Sequence, residues 1–520
     1  MSIFIPDNIK FFIEKFRETT RKEADLPRYF RPRAYRNAAV KFRNCDIDEF
    51  EKRYEIAVDQ ANLNVFKFPA RELPGCDLLS DSGTTTMTLE QWSQLILGDE
   101  AYGSNEGFYE LKDQIVETFG DRWRDSELFI FHQGRACEHA LFKILADTIS
   151  SKSKNIPDNG ENNSEKPYYI IPNNGHFDTT EANVRDNNIE PRNLFCDEYF
   201  IVDRNLKFKG NINLKVLEEL LINELDRVPL IYLTVTNNTG GGQPVSMANI
   251  RAASELARKY NVPFFFDAAR FAENVWFINK NEDGYADKSI VEIFHEMFSY
   301  VDGFHISCKK DGLVNIGGML VIMKHSCFNE KYPHFLDKLT DHQILTEAHP
   351  TYGGLAGRDL KALVQGFKTV SHHEYLDHRI NQVRRFGHAL LRNGIPILTP
   401  IGGSAIYLKV DDFFDGVPDA DKGFKGLALT ALMLIAGHRL CELGIYAFGS
   451  HNNGAEHPPD PRVNYVRAAV PRLAYEDQDL CSTAEMLKIL LDYRDIIPSV
   501  EVTHGQNLSL RHFKSDYRFV

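Results

Sequence analysis

The sequence predicts an α/β protein, with a large domain on a central, mostly parallel sheet and a smaller α+β domain after it. Three observations carry this. Val228 to Phe266 reads as strand, glycine-rich loop, helix and strand, the pattern of a right-handed crossover between parallel strands. Several other apolar runs stop abruptly at polar or charged residues, as strands do on entering loops at the carboxyl edge of such a sheet. After about residue 370 longer helical patterns with short strands between them take over.

In chain order, residues 1–75 are charged and rich in arginine and aromatics, notably Arg31 to Arg36; Ile9 to Phe16 and Ile47 to Tyr54 predict short helices in an arm or part of the small domain. The large domain is placed at 76–370. It opens with the polar loop Leu78 to Met87, a helix over Leu89 to Leu97 that stops at Gly98, and an amphipathic stretch from Phe108 to Phe119. A strand over Glu127 to Phe131 runs into His132-Gln133-Gly134-Arg135, and a helix follows over Ala136 to Ile149. Residues 150–166 are polar and of low complexity, the composition of a mobile insertion. Tyr168 to Ile171 is the next strand. In the crossover, Leu230 to Val235 is a strand, Ser246 a helix cap, and Val262 to Phe266 a strand ending at Asp267. Gly303 to Ser307 and Met319 to Met323 add two more. The small domain, 371–520, reads as helices near His372 to Asn393, Leu427 to Leu443 and Thr483 to Asp495, with strands near Ile395 to Leu398, Ala405 to Val410 and Asn464 to Ala469. There is no internal repeat.

Bulk properties narrow the class of function. The chain has 520 residues, 43% hydrophobic and 26% charged, which suits a globular protein with a large core. A formal net charge of −13 argues against a general nucleic-acid or anionic-membrane surface. The eight cysteines are scattered without a C-x-x-C pair, so neither a zinc ribbon nor a disulfide framework is expected, and a reducing, cytoplasmic location is. No apolar run reaches the roughly 20 residues that span a bilayer, and the first residues lack the basic and apolar regions of a secretory signal.

The chemistry gathers at strand ends. Gly303 to Gly318 places Lys309 and Lys310 between two apolar runs. Read alone, this is either a turn with two solvated lysines or a desolvated lysine able to act as an amine nucleophile. Gly134 at the start of a helix, with Arg135, forms an anion site or an ordinary strand–helix turn. Asp267, behind three phenylalanines, needs a cation or several donors; Arg270 is one candidate. Pyridoxal 5'-phosphate (PLP) joins a phosphate, a ring nitrogen that takes a carboxylate and an aldehyde that takes a lysine, so one ligand accounts for all three features.

At these residues the chain resembles the β-eliminating lyases, the tryptophan indole-lyase (tryptophanase) and tyrosine phenol-lyase family. The motifs are L-L-S-D-S-G-T, G-D-E-A-Y, H-Q-G-R, G-G-Q-P-V-S-M-A-N, F-D-A-A-R, C-K-K-D with N-I-G-G, T-Y-G-G-L-A-G-R-D, V-R-A-A-V-P-R and L-R-H-F, running from about Leu78 to the C-terminus. The resemblance implies a fold-type-I PLP-dependent transferase-like architecture. It implies Lys310 as the Schiff-base lysine and α-proton base, with Lys309 near the phosphate. Gln133, Gly134, Arg135 and Ser307 match phosphate contacts, Asp267 the pyridinium partner and Phe177 the ring-stacking residue; Arg270 and Asn238 fall on the ring hydroxyl side. Arg467, with Ser80, Ser82 and Asn238, is implied to hold the substrate carboxylate. Tyr102 matches a tyrosine that moves protons near the leaving group across a subunit interface. Glu100, with backbone oxygens of Gly83 and Asn315, is implied to bind a monovalent cation such as potassium, and the assembly to be a homotetramer.

Three positions separate the two activities. Leu443 stands where phenol-lyases carry arginine, Asp178 where they carry threonine, and His512 matches a tryptophanase histidine. All three favour an indole pocket, with His512 and Asp178 orienting the indole N–H or relaying, with Tyr102, the proton that lets indole leave. Ser404 departs from the family, which has histidine there. The expected reaction is L-tryptophan and water to indole, pyruvate and ammonium; elimination from tyrosine or S-substituted cysteines, and a non-catalytic protein of this fold, are the alternatives.

Overall fold

The structure, a computed structural model, describes residues 4–22, 46–99, 101–153, 168–201, 203, 205–418, 423–448, 464–508 and 510–520. The chain forms two compact units, Ser82–Ile380 and Met1–Asp81 with Asn381–Val520.

In the unit Ser82–Ile380 the strands are β1 (Ser126–Phe131), β2 (Tyr169–Asn173), β3 (Ile189–Asn193), β4 (Ile231–Thr234), β5 (Phe264–Asp267), β6 (Gly303–Ser307) and β7 (Gly318–Met323). Five of them form one sheet in the order β1-β7-β6-β5-β4, and β2 and β3 pair in parallel. β4, β5 and β6 are parallel neighbours. β7 is antiparallel to both β1 and β6, so β1 shares the direction of β4–β6 and β7 alone runs against it. The sheet is mostly parallel in direction with one reversed strand inside it.

Both faces are buried, which explains why the strands read as unbroken apolar runs. Phe264, Phe266, Phe304 and Ile306 join a core with Ile250, Ala253 and Ala257 of the helix Met247–Lys259. Tyr232, Phe265, Leu320 and Ile322 turn the other way, into a core with Leu141, Phe142 and Leu145 of the helix Gly134–Ser153. Each fully buried aromatic or aliphatic side chain contributes about 1.5–3 kcal/mol from area alone. Ser246 caps its helix as predicted, its hydroxyl accepting the Asn249 amide at 3.1 Å. Thr88 and Gln91 form a capping box on the helix Leu89–Leu97.

Some boundaries differ from the sequence reading. The helix after H-Q-G-R runs from Gly134 to Ser153 and takes in the first residues assigned to the insertion; residues 154–167, like Arg31 to Arg36, lie outside the described residues. The helix expected over Leu427 to Leu443 is Lys425–Ile435. It ends because Gly437 takes a φ of +89°, which L side chains rarely adopt, and the chain then returns as a strand. The last long helix begins earlier than predicted, at Asp477, with Glu476 and Asp479 forming its capping box. Ile395 to Leu398 makes only an isolated bridge, Ile397 to Leu408, rather than a strand.

In the other unit, β8 (Ala405–Lys409), β9 (Cys441–Glu442) and β10 (Tyr465–Ala469) form an antiparallel sheet in the order β8-β10-β9. The N-terminal segment belongs to its core: Ile9, Phe12 and Phe16 of the helix Asp7–Lys22 are buried with Leu487 and Leu490 of the helix Asp477–Asp492. Arg472 Nη1 lies 3.0 Å from Asp81 Oδ2, and both side chains are almost fully buried. The pair ties the L-L-S-D loop to the turn after β10. Arg472→Met removes one side of a buried ion pair and is expected to lower stability by about 3–5 kcal/mol. The shift in the urea midpoint measures this, and adding Asp81→Leu is expected to recover much of the loss.

Candidate active site

The carboxyl ends of β1, β4, β5 and β6 open at one edge of the sheet, where β7 begins. β1 leads to Gln133, which bridges Gly317. Gly134 starts its helix against the end of β6: a Cβ on Gly134 would stand 2.5 Å from Ser307 Cβ. The amides of Ala136 and Cys137 turn back to the Gln133 carbonyl, and the positive end of the helix lies beside the Ser307 side chain. Arg135 is exposed and Lys309 half-buried. Burial first, and then repulsion from Arg135, hold the Lys309 ammonium below the ordinary lysine range. Two cations converging beside a helix N-terminus and a hydroxyl fit the phosphate of PLP, because an anion relieves both repulsion and desolvation.

At the end of β5, Asp267 is buried, accepts the Ala269 amide at 3.2 Å and lies opposite His305 in the β5–β6 register. A buried carboxylate at a sheet edge suits a protonated ring nitrogen. Arg270 is buried in the same loop, its amide bonded to the Val235 carbonyl. The loop that carries Asn238 closes on itself through mutual Asn237–Gln243 backbone bonds. It is joined to the β2 loop by Asn237 donating to the Asn174 carbonyl at 2.7 Å and Thr239 to the His176 carbonyl at 2.8 Å. That places Phe177, half-buried, at the cap of the helix Asp178–Asp186. Asp178 is buried, and its carboxylate accepts the Thr179 amide at 2.6 Å, the local capping contact open to an aspartate at this position.

The lysine loop is anchored on both sides. Asp311 accepts the amides of Ala272 at 2.8 Å and Glu273 at 3.2 Å, so the residue after Lys310 holds the N-terminus of the helix Phe271–Asn281. The Gly83 amide donates to the Lys309 carbonyl at 2.8 Å, which ties down the segment beginning at Ser82. Asn315 Nδ2 donates to the carbonyls of Gly83 and Thr85, both at 3.0 Å. Gly83 and Asn315 are thus adjacent, whereas Glu100 lies outside the described residues. Tyr102 is 73% exposed, its ring edge-on to Tyr352 and His349.

The remaining candidates sit in the other unit. Arg467, on β10, is buried and donates to the Leu79 carbonyl at 3.1 Å, next to Ser80. Leu443, at 5% exposure, follows β9 and donates its amide to Tyr465. His512 is buried against Phe66 and Phe513. Ser404, where the family pattern has histidine, is buried just before β8.

Sequence reasoning passed over Asp311, Glu138 and His305. Asp311 makes its contacts with residues far along the chain. The other two carried signals: Glu138 is four residues past Gly134 on a helix, and His305 is two before Ser307 on a strand, spacings that keep each on the side of its neighbour.

A family model described as beta-eliminating lyase matches residues 77–485. A tryptophanase of Salinibacter ruber is 39% identical over 89% of this chain and 91% of its own length. A tyrosine phenol-lyase of Lacrimispora saccharolytica is 38% identical over 84% and 87%, and a probable beta-eliminating lyase of Trichomonas vaginalis 38% over 87% and 92%. Among solved structures, a Leishmania major threonine aldolase superposes with a TM-score of 0.51 at 14% identity, covering 80% of this chain and 99% of that one. A serine palmitoyltransferase from S. paucimobilis, determined with PLP, gives 0.50 at 10%, covering 81% and 88%. These two speak to the fold alone, a fold-type-I α/β architecture. With the match spanning most of the chain and both named activities among its relatives, the chain belongs to the β-eliminating lyase family of PLP-dependent carbon–carbon lyases.

Proposed function

We propose that this lyase cleaves L-tryptophan with water into indole, pyruvate and ammonium. The observation that carries the choice of indole over phenol is Leu443, an apolar and buried side chain that offers a phenol oxygen no charged partner. Bound PLP supplies the electron sink for charge that develops at the substrate α-carbon. In this reading the Lys310 amine forms the covalent link to the cofactor and takes the α-proton. The Asp267 carboxylate keeps a proton on the ring nitrogen, and Phe177 stacks on the ring. Gln133, Gly134, Arg135, Ser307 and Lys309 hold the phosphate, with Arg270 and Asn238 on the ring hydroxyl side. The Arg467 guanidinium, with Ser80, Ser82 and Asn238, holds the substrate carboxylate as a planar fork. Tyr102 and His512 deliver a proton to the indole carbon that leaves, while Asp178 orients the indole N–H.

The same reading includes a potassium ion on Glu100 and the carbonyls of Gly83 and Asn315, a cytoplasmic location, and a homotetramer in which Tyr102 serves a neighbouring site. Support for assembly comes from the large apolar side chains left exposed near Tyr102 in sequence, Leu89, Ile96 and Leu97. Among the described residues no helix is long and apolar enough to cross a membrane.

Purified protein given PLP and tryptophan is expected to release indole. A protein that turns over only tyrosine or S-alkyl cysteines would overturn the assignment. His512→Phe is expected to slow indole release by about 10²–10⁴, the range of a lost general acid, and to spare S-alkyl cysteines, whose leaving groups need no such proton. Gly134→Ala forces a Cβ into the Ser307 contact, and at about 1–3 kcal/mol for overpacking it is expected to weaken PLP binding about tenfold or more, read by titrating the apoprotein. Sedimentation equilibrium is expected to give four times the chain mass of 59.5 kDa.

A further inference from the structure

On the sheet face covered by the helix Gly134–Ser153, buried polar groups meet behind the active-site edge. His305 is 2% exposed, with Nε2 3.5 Å from Asp267 Oδ1 and 3.6 Å from Glu138 Oε1. The Tyr232 hydroxyl bonds to His305 Nδ1, and the two rings stack at 5.9 Å with an 8° tilt. Glu138, also buried, accepts the Thr180 hydroxyl. None of these groups except Asp267 has a part in the reaction described above.

The hydrogen bonds point to one order of protons. Burial, with help from Asp267 and Glu138, pushes the Tyr232 phenol far up, so it remains an O–H donor. With that O–H donated to Nδ1, a neutral imidazole carries its one proton on Nε2, the nitrogen that faces both carboxylates. Burial keeps the imidazole neutral by holding His305 below the ordinary histidine range. Burial first and Asp267 second push Glu138 up to about 8.

We propose that His305 is a positioning residue for Asp267: its Nε2–H, aimed by Tyr232 and backed by Glu138, holds the Asp267 carboxylate in place to keep the cofactor ring nitrogen protonated. This rests on Asp267 facing that nitrogen. The protein reconstituted with PLP carrying ¹⁵N in the ring is expected to give the NMR shift of a protonated pyridine. In His305→Ala and Tyr232→Phe the shift moves toward the unprotonated form, and PLP binds about ten- to a hundredfold more weakly, the range lost with outer-shell partners at metal sites. His305→Gln keeps an N–H donor and is expected to restore the wild-type shift, which a packing role alone would not do.

An unchanged shift in His305→Ala, or a glutamine variant no better than alanine, overturns the proposal. So does a divalent metal that co-purifies with the wild type, since the three groups lie within 4.8 Å of one another and a metal there would replace the proton. Asp267→Asn separates the two claims: if its ring signal matches wild type, the reading of Asp267 fails; if it moves and His305→Ala does not, only the present proposal fails. Should circular dichroism show His305→Ala unfolded, Tyr232→Phe, which removes a single oxygen, decides.

Discussion

The close approach of three chain segments at the start of β7 is the constraint from which the sheet-edge site follows. A Cβ on Gly318 would stand 2.4 Å from the Gln133 carbonyl carbon, and one on Gly134 2.5 Å from Ser307 Cβ. With hydrogen in both places, β7 slots between β1 and β6 against their direction, and the ends of those two strands come within reach of each other. The helix N-terminus after β1 and the hydroxyl after β6 then share one space. Any larger residue at either glycine pushes apart a sheet whose two faces are already packed, and such interiors yield little.

That edge is held rigid by backbone contacts more than by side-chain packing. Asp311 spends its carboxylate on the two amides that open the helix after β5, which fixes the lysine loop relative to the Asp267 loop. Gly83 and Asn315 fasten the other side of the same loop. The acid after Lys310 thus has a structural part: its carboxylate accepts from the amides of a helix N-terminus, where a negative charge is favourable. A reactive group needs a fixed position, and these anchors supply it.

What could be read from the sequence follows from how local each signal is. The crossover at Val228 to Phe266, the Ser246 cap and the apolar strands were legible because their periodicity and punctuation lie within one window. The reversed direction of β7 was not, since an apolar run reads alike in either direction. The helix stop at Gly437 was missed because Leu440 to Leu443 continues the apolar pattern beyond it, and only a positive φ breaks it. In the site, the glycines of N-I-G-G read as a turn, while Gly318 serves a contact with a residue far earlier in the chain. Asp311, Glu138 and His305 were passed over for the same reason: each acts on partners brought close only by folding.

The charges in the unit Ser82–Ile380 have a polarity that suits one kind of ligand. At the β1–β6 junction, Arg135 and Lys309 are cations pressed together, with Lys309 disfavoured by burial. Across the β5–β6 pairing, two carboxylates and an imidazole share a dry space that pushes Glu138 up. Each cluster has a cost: burial and Arg135 disfavour the Lys309 charge, and burial disfavours a charge on Glu138. A rod-shaped molecule with an anionic end and a protonatable ring nitrogen relieves both costs at once, and PLP has that shape and charge order. In the proposed reading, cofactor affinity draws partly on relief of the Arg135–Lys309 repulsion and of desolvation, so weakening either cluster costs binding even where no contact to the cofactor is removed.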